Sequence, residues 1–142
     1  MNKKDVLLKE IDIVQWIINR MWTNSFVIKG WAISIVLWVL SLNDFSKSDW
    51  LFLIIIMIIA ILLFAYLDSY FLQQERLYRK LYKWIVDNRE KSDEFLFDTN
   101  TDRLFRKEDC ILRVFFSKTI RPIYFLLIIS TIIYYVLIFN IR

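Results

Sequence analysis

The sequence predicts an all-α integral membrane protein: three transmembrane helices joined to amphipathic N-terminal and cytoplasmic helices, oriented N-in/C-out. Three observations predict it. Residues 50–67 run for eighteen residues without a formal charge, about 27 Å of helix against a hydrocarbon core of ~30 Å. The chain of 142 residues is 58% hydrophobic yet holds one Gly and one Pro, too few to supply the turns of a β-rich or loop-rich soluble domain. Lys and Arg also segregate by segment, as expected of chains that cross a bilayer. Backbone polar groups in lipid must be bonded within their own segment, so the spans are expected to be helices. One membrane domain covers residues 1–142.

Residues 1–25 are expected to form an amphipathic helix. Leu7, Ile11, Val14, Ile18 and Met21 recur at spacings of 4-3-4-3. The seam continues through Ser25, Ile28, Ala32, Ile35, Val39 and Leu42, a coiled-coil pattern. It suits packing between copies of the chain, or a helix that lies on the membrane or against its own chain. Residues 26–42 form the first span, with Lys29 near its start, where an ammonium group can snorkel to the interface. Residues 43–49 (NDFSKSD) read as a polar turn, with Ser48 or Asp49 capping the next helix. Trp50 falls at an interfacial position.

The second span covers residues 50–72, and no turn signal separates it from residues 73–89. One long helix is therefore expected to leave the membrane and continue into the cytoplasm. Its outer part carries an apolar stripe of Leu77, Leu81 and Trp84 or Ile85 opposite Arg76, Arg79, Lys80 and Lys83. Residues 91–101 read as a loop that tucks in Phe95, Leu96 and Phe97. Residues 102–117 read as a second amphipathic helix, opened by a capping-box variant of Thr99 and Asp102. Its Arg103, Arg106, Lys107, Arg113 and, just beyond, Lys118 alternate with Leu104, Phe105, Ile111, Leu112, Phe115 and Phe116, the composition of a helix lying in an interface. Pro122 then opens the third span, 122–141, in a first turn where its missing N–H breaks no bond. Ser117 or Thr119 is placed to cap it.

The orientation follows from counting cations. Residues 1–29 hold five, the turn one (Lys47), residues 73–121 twelve, and the segment after the third span only Arg142. Residues 73–121 are then cytoplasmic, with net charge +3 from twelve basic and nine acidic residues. Each exposed cation there contributes about 1 kcal/mol of attraction near an anionic leaflet.

Several chemistries are excluded by composition. There is no histidine, which removes His-based general-base catalysis, Ser-His-Asp triads and His-containing zinc sites. Cys110 is alone, so no intrachain disulfide forms, as suits a reducing compartment. No cleavable signal peptide is expected. One glycine rules out a glycine-rich phosphate loop. Asp87, Glu90, Asp93, Glu94, Asp98, Asp102, Glu108 and Asp109 lack EF-hand order and come with interleaved cations, so a solvated face is expected rather than a metal site. The expectation is a chain that is not an enzyme and has no cofactor or metal.

Asp68 is the sharpest residue: an ionisable group in an apolar stretch, with Phe64, Ala65, Phe71 and Leu72 as its helical neighbours. A carboxylate at this depth costs about 2.5 kcal/mol or more at mid-membrane and less near an edge. Lys29 lies at a matching depth on the antiparallel first span. Lys29 and Asp68 are therefore expected to pair between spans, either to fix assembly and orientation or as a gate on an ion path. Gly30 and Ser34, and Ala65 and Ser69, form small-residue pairs at a four-residue spacing that let helix backbones approach, so spans one and two are expected to pack as a hairpin. Ser130 and Thr131 are expected to bond back to their own helix rather than line a pore; Asn140 is the other polar group of that span. The run ERLYRKLYKW (75–84) mixes cations with aromatics, as nucleic-acid surfaces do. Its juxtamembrane position favours lipid headgroups instead.

Two blocks, NSFVIKGW at 24–31 and LDSYFLQQERLYRKLY at 67–82, resemble a family of short, uncharacterised bacterial membrane proteins with three predicted spans. The resemblance runs from about Val14 to the third span and is densest in these blocks. It puts emphasis on Lys29, Gly30, Asp68, Glu75 and Arg76. By analogy of class rather than of residues, it implies a membrane effector of the kind that sits beside antiphage systems.

The functional expectation is a small self-assembling bacterial inner-membrane protein that acts as an oligomeric pore-forming or membrane-perturbing effector. Three spans cannot enclose a selective pore within one chain, so that reading needs a homo-oligomer. The alternative is a non-conducting anchor or scaffold recruiting a cytoplasmic protein partner. In either case Arg76, Arg79, Lys80, Lys83, Arg103, Arg106 and Lys107 are the expected contacts to anionic lipid headgroups or to that partner. Nucleic acid is not an expected partner.

Overall fold

A computed structural model describes residues 3–41, 47–89, 91, 92 and 94–141, with the side chains of residues 47–50, 108 and 138–141 left aside. The polar turn and its caps at Ser48 or Asp49, the Trp50 ring, Glu90, Asp93, the Glu108 and Asn140 side chains and Arg142 lie outside this description.

The fold is all-helical. Helix α1 spans Lys3–Leu40 (38 residues) and α2 spans Lys47–Asn88 (42 residues). At 1.5 Å per residue they are about 57 and 63 Å long, each roughly twice a hydrocarbon core. The expected amphipathic helix at 1–25 and the span at 26–42 are thus one continuous helix, and α2 runs unbroken across the expected membrane exit. After the loop, two single 3₁₀ turns (Asp102–Leu104 and Lys107–Asp109) lead to a short α3 (Ile111–Phe115) and then α4 (Arg121–Ile141, 21 residues).

The long amphipathic helix expected over 102–117 does not form. Asp109 accepts the backbone N–H of Arg106 at 2.9 Å, a local bond that competes with helix continuation. Cys110 is extended (φ −56°, ψ 133°) and ends the turn. The Thr99–Asp102 capping box is also absent: Thr101 precedes the first 3₁₀ turn and makes no capping bond through its side chain. Ser117 does not cap α4 either, because its buried hydroxyl finds no partner.

α1 and α2 pack as an antiparallel hairpin along the heptad seam. Leu7, Ile11, Val14, Ile18, Met21, Ser25, Ile28 and Ala32 are buried or half-buried. Toward the end Val36 (3% exposed) replaces Ile35 (40%) in the interface, the drift expected when a 3.6-residue helix meets a 3.5-residue repeat. α2 answers with Met57, Ile61, Ala65 and Ser69, then Leu77, Leu81 and Ile85, steps of four that keep one face inward. α4 runs antiparallel to α2: Tyr124 sits at the level of Asp68, while Tyr134 and Tyr135 share a small cleft with Leu53, Ile54 and Val39. One apolar cluster joins Ala32, Val36, Met57, Ile61, Ala65, Val114, Ile120, Tyr124 and Leu127. A second, nearer the helix ends, holds Val14, Leu81 and Ile85.

α1 and α2 each contain a stretch long and apolar enough to cross a membrane; the apolar stretch counted in α4, Arg121–Leu137, is shorter. The apolar surface mostly faces out. Trp31, Leu37, Trp38, Phe52, Leu63, Phe125 and Leu126 are each at least 60% exposed, a dressing that monomeric soluble proteins rarely show.

Candidate functional site: two buried charged joints and a basic cavity

The first joint is at Asp68, which is fully buried (0% exposed). Lys29 Nζ donates to Asp68 Oδ1 at 2.7 Å and to Ser25 Oγ at 2.7 Å. Ser25 Oγ donates to the same Oδ1. Tyr124 OH donates to Oδ2 at 3.2 Å and lies 3.4 Å from the carbonyl of Phe64. Ser25, Lys29 and Ala32 share one face of α1 through their i, i+4, i+7 spacing. The structure thus brings Lys29 and Asp68 together and adds Ser25 and Tyr124. Three helices meet at one carboxylate, both of whose oxygens are occupied. That arrangement neutralises the charge and fixes the helices against one another.

The small-residue pairs divide. Ala65 and Ser69 lie in the interface, and Ser69 Oγ bonds back to the Ala65 carbonyl at 2.6 Å. Gly30 and Ser34 do not pack on α2: both are exposed, and no described atom beyond Gly30's chain neighbours and its own helical backbone lies within 4 Å of a Cβ placed on Gly30. Two residues of helix turn about 200°, so with Ala32 facing α2, Gly30 faces away. On α4, Ser130 and Thr131 donate to the Leu127 carbonyl at 2.9 Å each.

The second joint lies at the far end of the hairpin. Arg89 Nε donates to Glu10 Oε2 at 2.7 Å and Arg89 Nη2 donates to Oε1. The side chains are only 2% and 3% exposed. Arg89 Nη1 also donates to the carbonyls of Glu94 (2.9 Å) and Ser92 (3.3 Å), and Nη2 to that of Phe95 (3.3 Å). Glu10 Oε1 accepts the N–H of Phe97 at 3.1 Å. The loop so held carries Phe95 and Phe97 in left-handed conformations (φ 57° and 58°), each costing roughly 1–2 kcal/mol for a side chain with a Cβ. Phe95, Leu96 and Phe97 are not tucked in but 41–44% exposed. The buried pair offsets the loop's strain by satisfying its backbone.

Sequence reasoning missed this pair, although a signal existed. Arg89 continues the four-residue steps of Leu77, Leu81 and Ile85, and Glu10 lies four before Val14. Glu10 is nineteen residues before Lys29, and Arg89 twenty-one after Asp68. In an antiparallel hairpin registered by Lys29 and Asp68, those near-equal separations set the two residues face to face.

A third polar knot ties the 3₁₀ segment to α2. Lys80 Nζ contacts Asp109 Oδ2 at 2.6 Å and Oδ1 at 2.8 Å, and Gln73 Nε2 donates to the Asp109 carbonyl at 2.7 Å. Burial pushes the Asp109 carboxyl up, but the Lys80 ammonium and the Arg106 N–H and charge outweigh it and hold the group below its ordinary 3.8. A lowered carboxyl stabilises the folded state fully above its unfolded value of about 3.9 and loses that contribution as pH falls through the lower folded value. The segment around residues 102–110 is therefore expected to stay docked at pH 4–5 and to release only in stronger acid. In Asp109→Ala, amide exchange over those residues is expected to be fast already at pH 7, with the acid transition gone.

The remaining predicted cations fall in two groups. Lys80, Lys83, Arg103 and Arg106 line one open cavity of about 380 Å³, with Trp84 and Asp87. Arg76, Arg79 and Lys107 do not line it; Arg79 is bound to Glu75 at 2.8 Å on its own helix. Among the described residues no cluster of three Cys, Asp or Glu side chains is placed to hold a metal ion. No family model matches the chain, and no curated protein or solved structure matches it either.

Proposed function

We propose that the chain is a small bacterial inner-membrane protein of three spans, N-in/C-out, that self-assembles as a membrane-perturbing or pore-forming effector. Under this reading, α1, α2 and α4 supply the spans. The parts of α1 and α2 beyond the Lys29–Asp68 level form a cytoplasmic stalk some 30 Å long, and the basic surface near Arg103 faces the cytoplasm, where a soluble partner can meet it. The resemblance of residues 24–31 and 67–82 to bacterial three-span proteins supports this class.

The observation that carries self-assembly is the outward face of Gly30 and Ser34. Small residues that leave a helix face bare toward lipid give another helix close access, and the hairpin itself makes no use of them. Gly30→Leu and Ser34→Leu are expected to leave the monomer fold intact and to lower the oligomeric state measured by light scattering in nanodiscs. A wild-type chain that is a monodisperse monomer in nanodiscs and causes no dye leakage from liposomes would sink the reading.

The second reading, a non-conducting anchor or scaffold, is favoured by the sealed state of Asp68. Both its oxygens are bonded and it is 0% exposed, which supports a fastening role over one on an ion path. A stoichiometric cytoplasmic partner captured without any leakage distinguishes this reading from the first.

A further inference from the structure

The cavity between α2 and the 3₁₀ segment is chemically uneven. Lys80 is engaged with Asp109, and the Arg106 backbone N–H is bound to the same carboxylate. Lys83 and Arg103 differ: among the described residues neither meets a hydrogen-bond acceptor or an acidic partner. Arg103 is nevertheless fixed. Its guanidinium carbon lies 4.3 Å from the Trp84 ring centroid and 3.9 Å from that of Phe95, and the two rings meet edge to face at 6.0 Å. Stacking restricts the guanidinium plane without consuming the donors that lie in that plane. A preset fork of this kind beside a lysine suits a phosphate, which Arg binds bidentately and Lys as a point charge. Asp87 on the same wall would repel a bare anion, so the occupant must also carry a hydroxyl or amino donor. The volume, about 380 Å³, is in the range of small-molecule sites.

We propose that this cavity binds a soluble phosphate-bearing ligand of the nucleotide class, with Lys83 and Arg103 on the phosphates and Asp87 on a hydroxyl or amino group. The soluble source rests on the membrane placement proposed above. Lys83 is fifteen residues beyond Asp68, about 22 Å along α2, whereas the headgroup layer past the hydrocarbon edge is only about 5–8 Å deep. A lipid phosphate does not reach that level beside a helix standing near the membrane normal. The ligand would then act on the cytoplasmic stalk and so couple a soluble metabolite to the state of the spans.

The test titrates the full-length protein in detergent micelles with trinitrophenyl-ATP as a fluorescent probe. Unlabelled ATP and dioctanoyl phosphatidylglycerol serve as competitors. Saturable binding displaced by ATP is expected, weakened at least tenfold by Arg103→Ala and by Lys83→Ala and unchanged by Arg113→Ala, which lies outside the cavity. Arg103→Lys guards against a folding artefact: it keeps the charge and loses the fork, and an intermediate loss is expected. Absence of saturable binding by the wild-type chain overturns the inference, as does binding indifferent to Lys83 and Arg103. Displacement by phosphatidylglycerol but not by ATP overturns the soluble source. Insertion is scored separately by liposome flotation: an inserting chain that binds no nucleotide sinks only this inference, and a chain that fails to insert sinks the membrane reading.

Discussion

Replacing Arg89 with alanine is expected to free the stalk end of the α1–α2 hairpin together with the loop at 91–101. The substitution leaves the Glu10 carboxylate buried without its partner and strips three loop carbonyls of a donor. Removing one member of a buried ion pair costs about 3–5 kcal/mol, and this pair also holds the two left-handed phenylalanines. Hydrogen exchange should rise over residues 91–101 and over the first four turns of α1, while the span-level core stays protected. Glu10→Ala should have a comparable effect, because it strands the guanidinium. The double variant Glu10→Met, Arg89→Met should recover much of the loss, since well-packed apolar replacements of buried pairs are often neutral. Unchanged exchange in Arg89→Ala would show that the pair does not hold the stalk.

Lys29→Ala should be the most damaging single change at the span-level joint. It leaves Asp68 fully buried with only two neutral donors, Ser25 and Tyr124, again at a cost of about 3–5 kcal/mol. Adding Asp68→Asn to that variant removes the stranded charge and should restore most of the thermal stability in detergent, so the double variant melts above Lys29→Ala alone. Asp68→Asn by itself should be milder, because Lys29 is 16% exposed and its stem lets the ammonium turn toward the interface. If the double variant melts no higher than Lys29→Ala, the joint is not held by charge pairing.

The helical class and the unbroken course of α2 were legible because both follow from local chemistry: long apolar runs, and no glycine or proline between Leu67 and Gln73. The meeting of Lys29 and Asp68 was legible because a charge in an apolar stretch demands a partner. Glu10 and Arg89 escaped notice because each sits among other charged residues, and in a polar segment a lone charge raises no alarm. Only the hairpin register exposes them. Tyr124 was illegible for a different reason, since nothing local says how α4 is rotated about its own axis. The segment at 102–117 misled because its alternation of basic and apolar residues imitates an amphipathic helix. The deciding bonds, from Lys80 and Gln73 to Asp109, come from a part of the chain some thirty residues away.

Two ionic fasteners on one helix pair, about twenty residues or roughly 30 Å apart, restrict how the hairpin can move. A slide of α1 along α2 by one helical turn, about 5.4 Å, would break Lys29–Asp68 and Glu10–Arg89 at the same moment and strand four buried charges or donors. Piston motion is therefore closed to this protein, while tilting or rotation of the pair as a single strut leaves both fasteners intact. Whatever meets the Glu10–Arg89 end of the strut reaches the Lys29–Asp68 end as a change of angle.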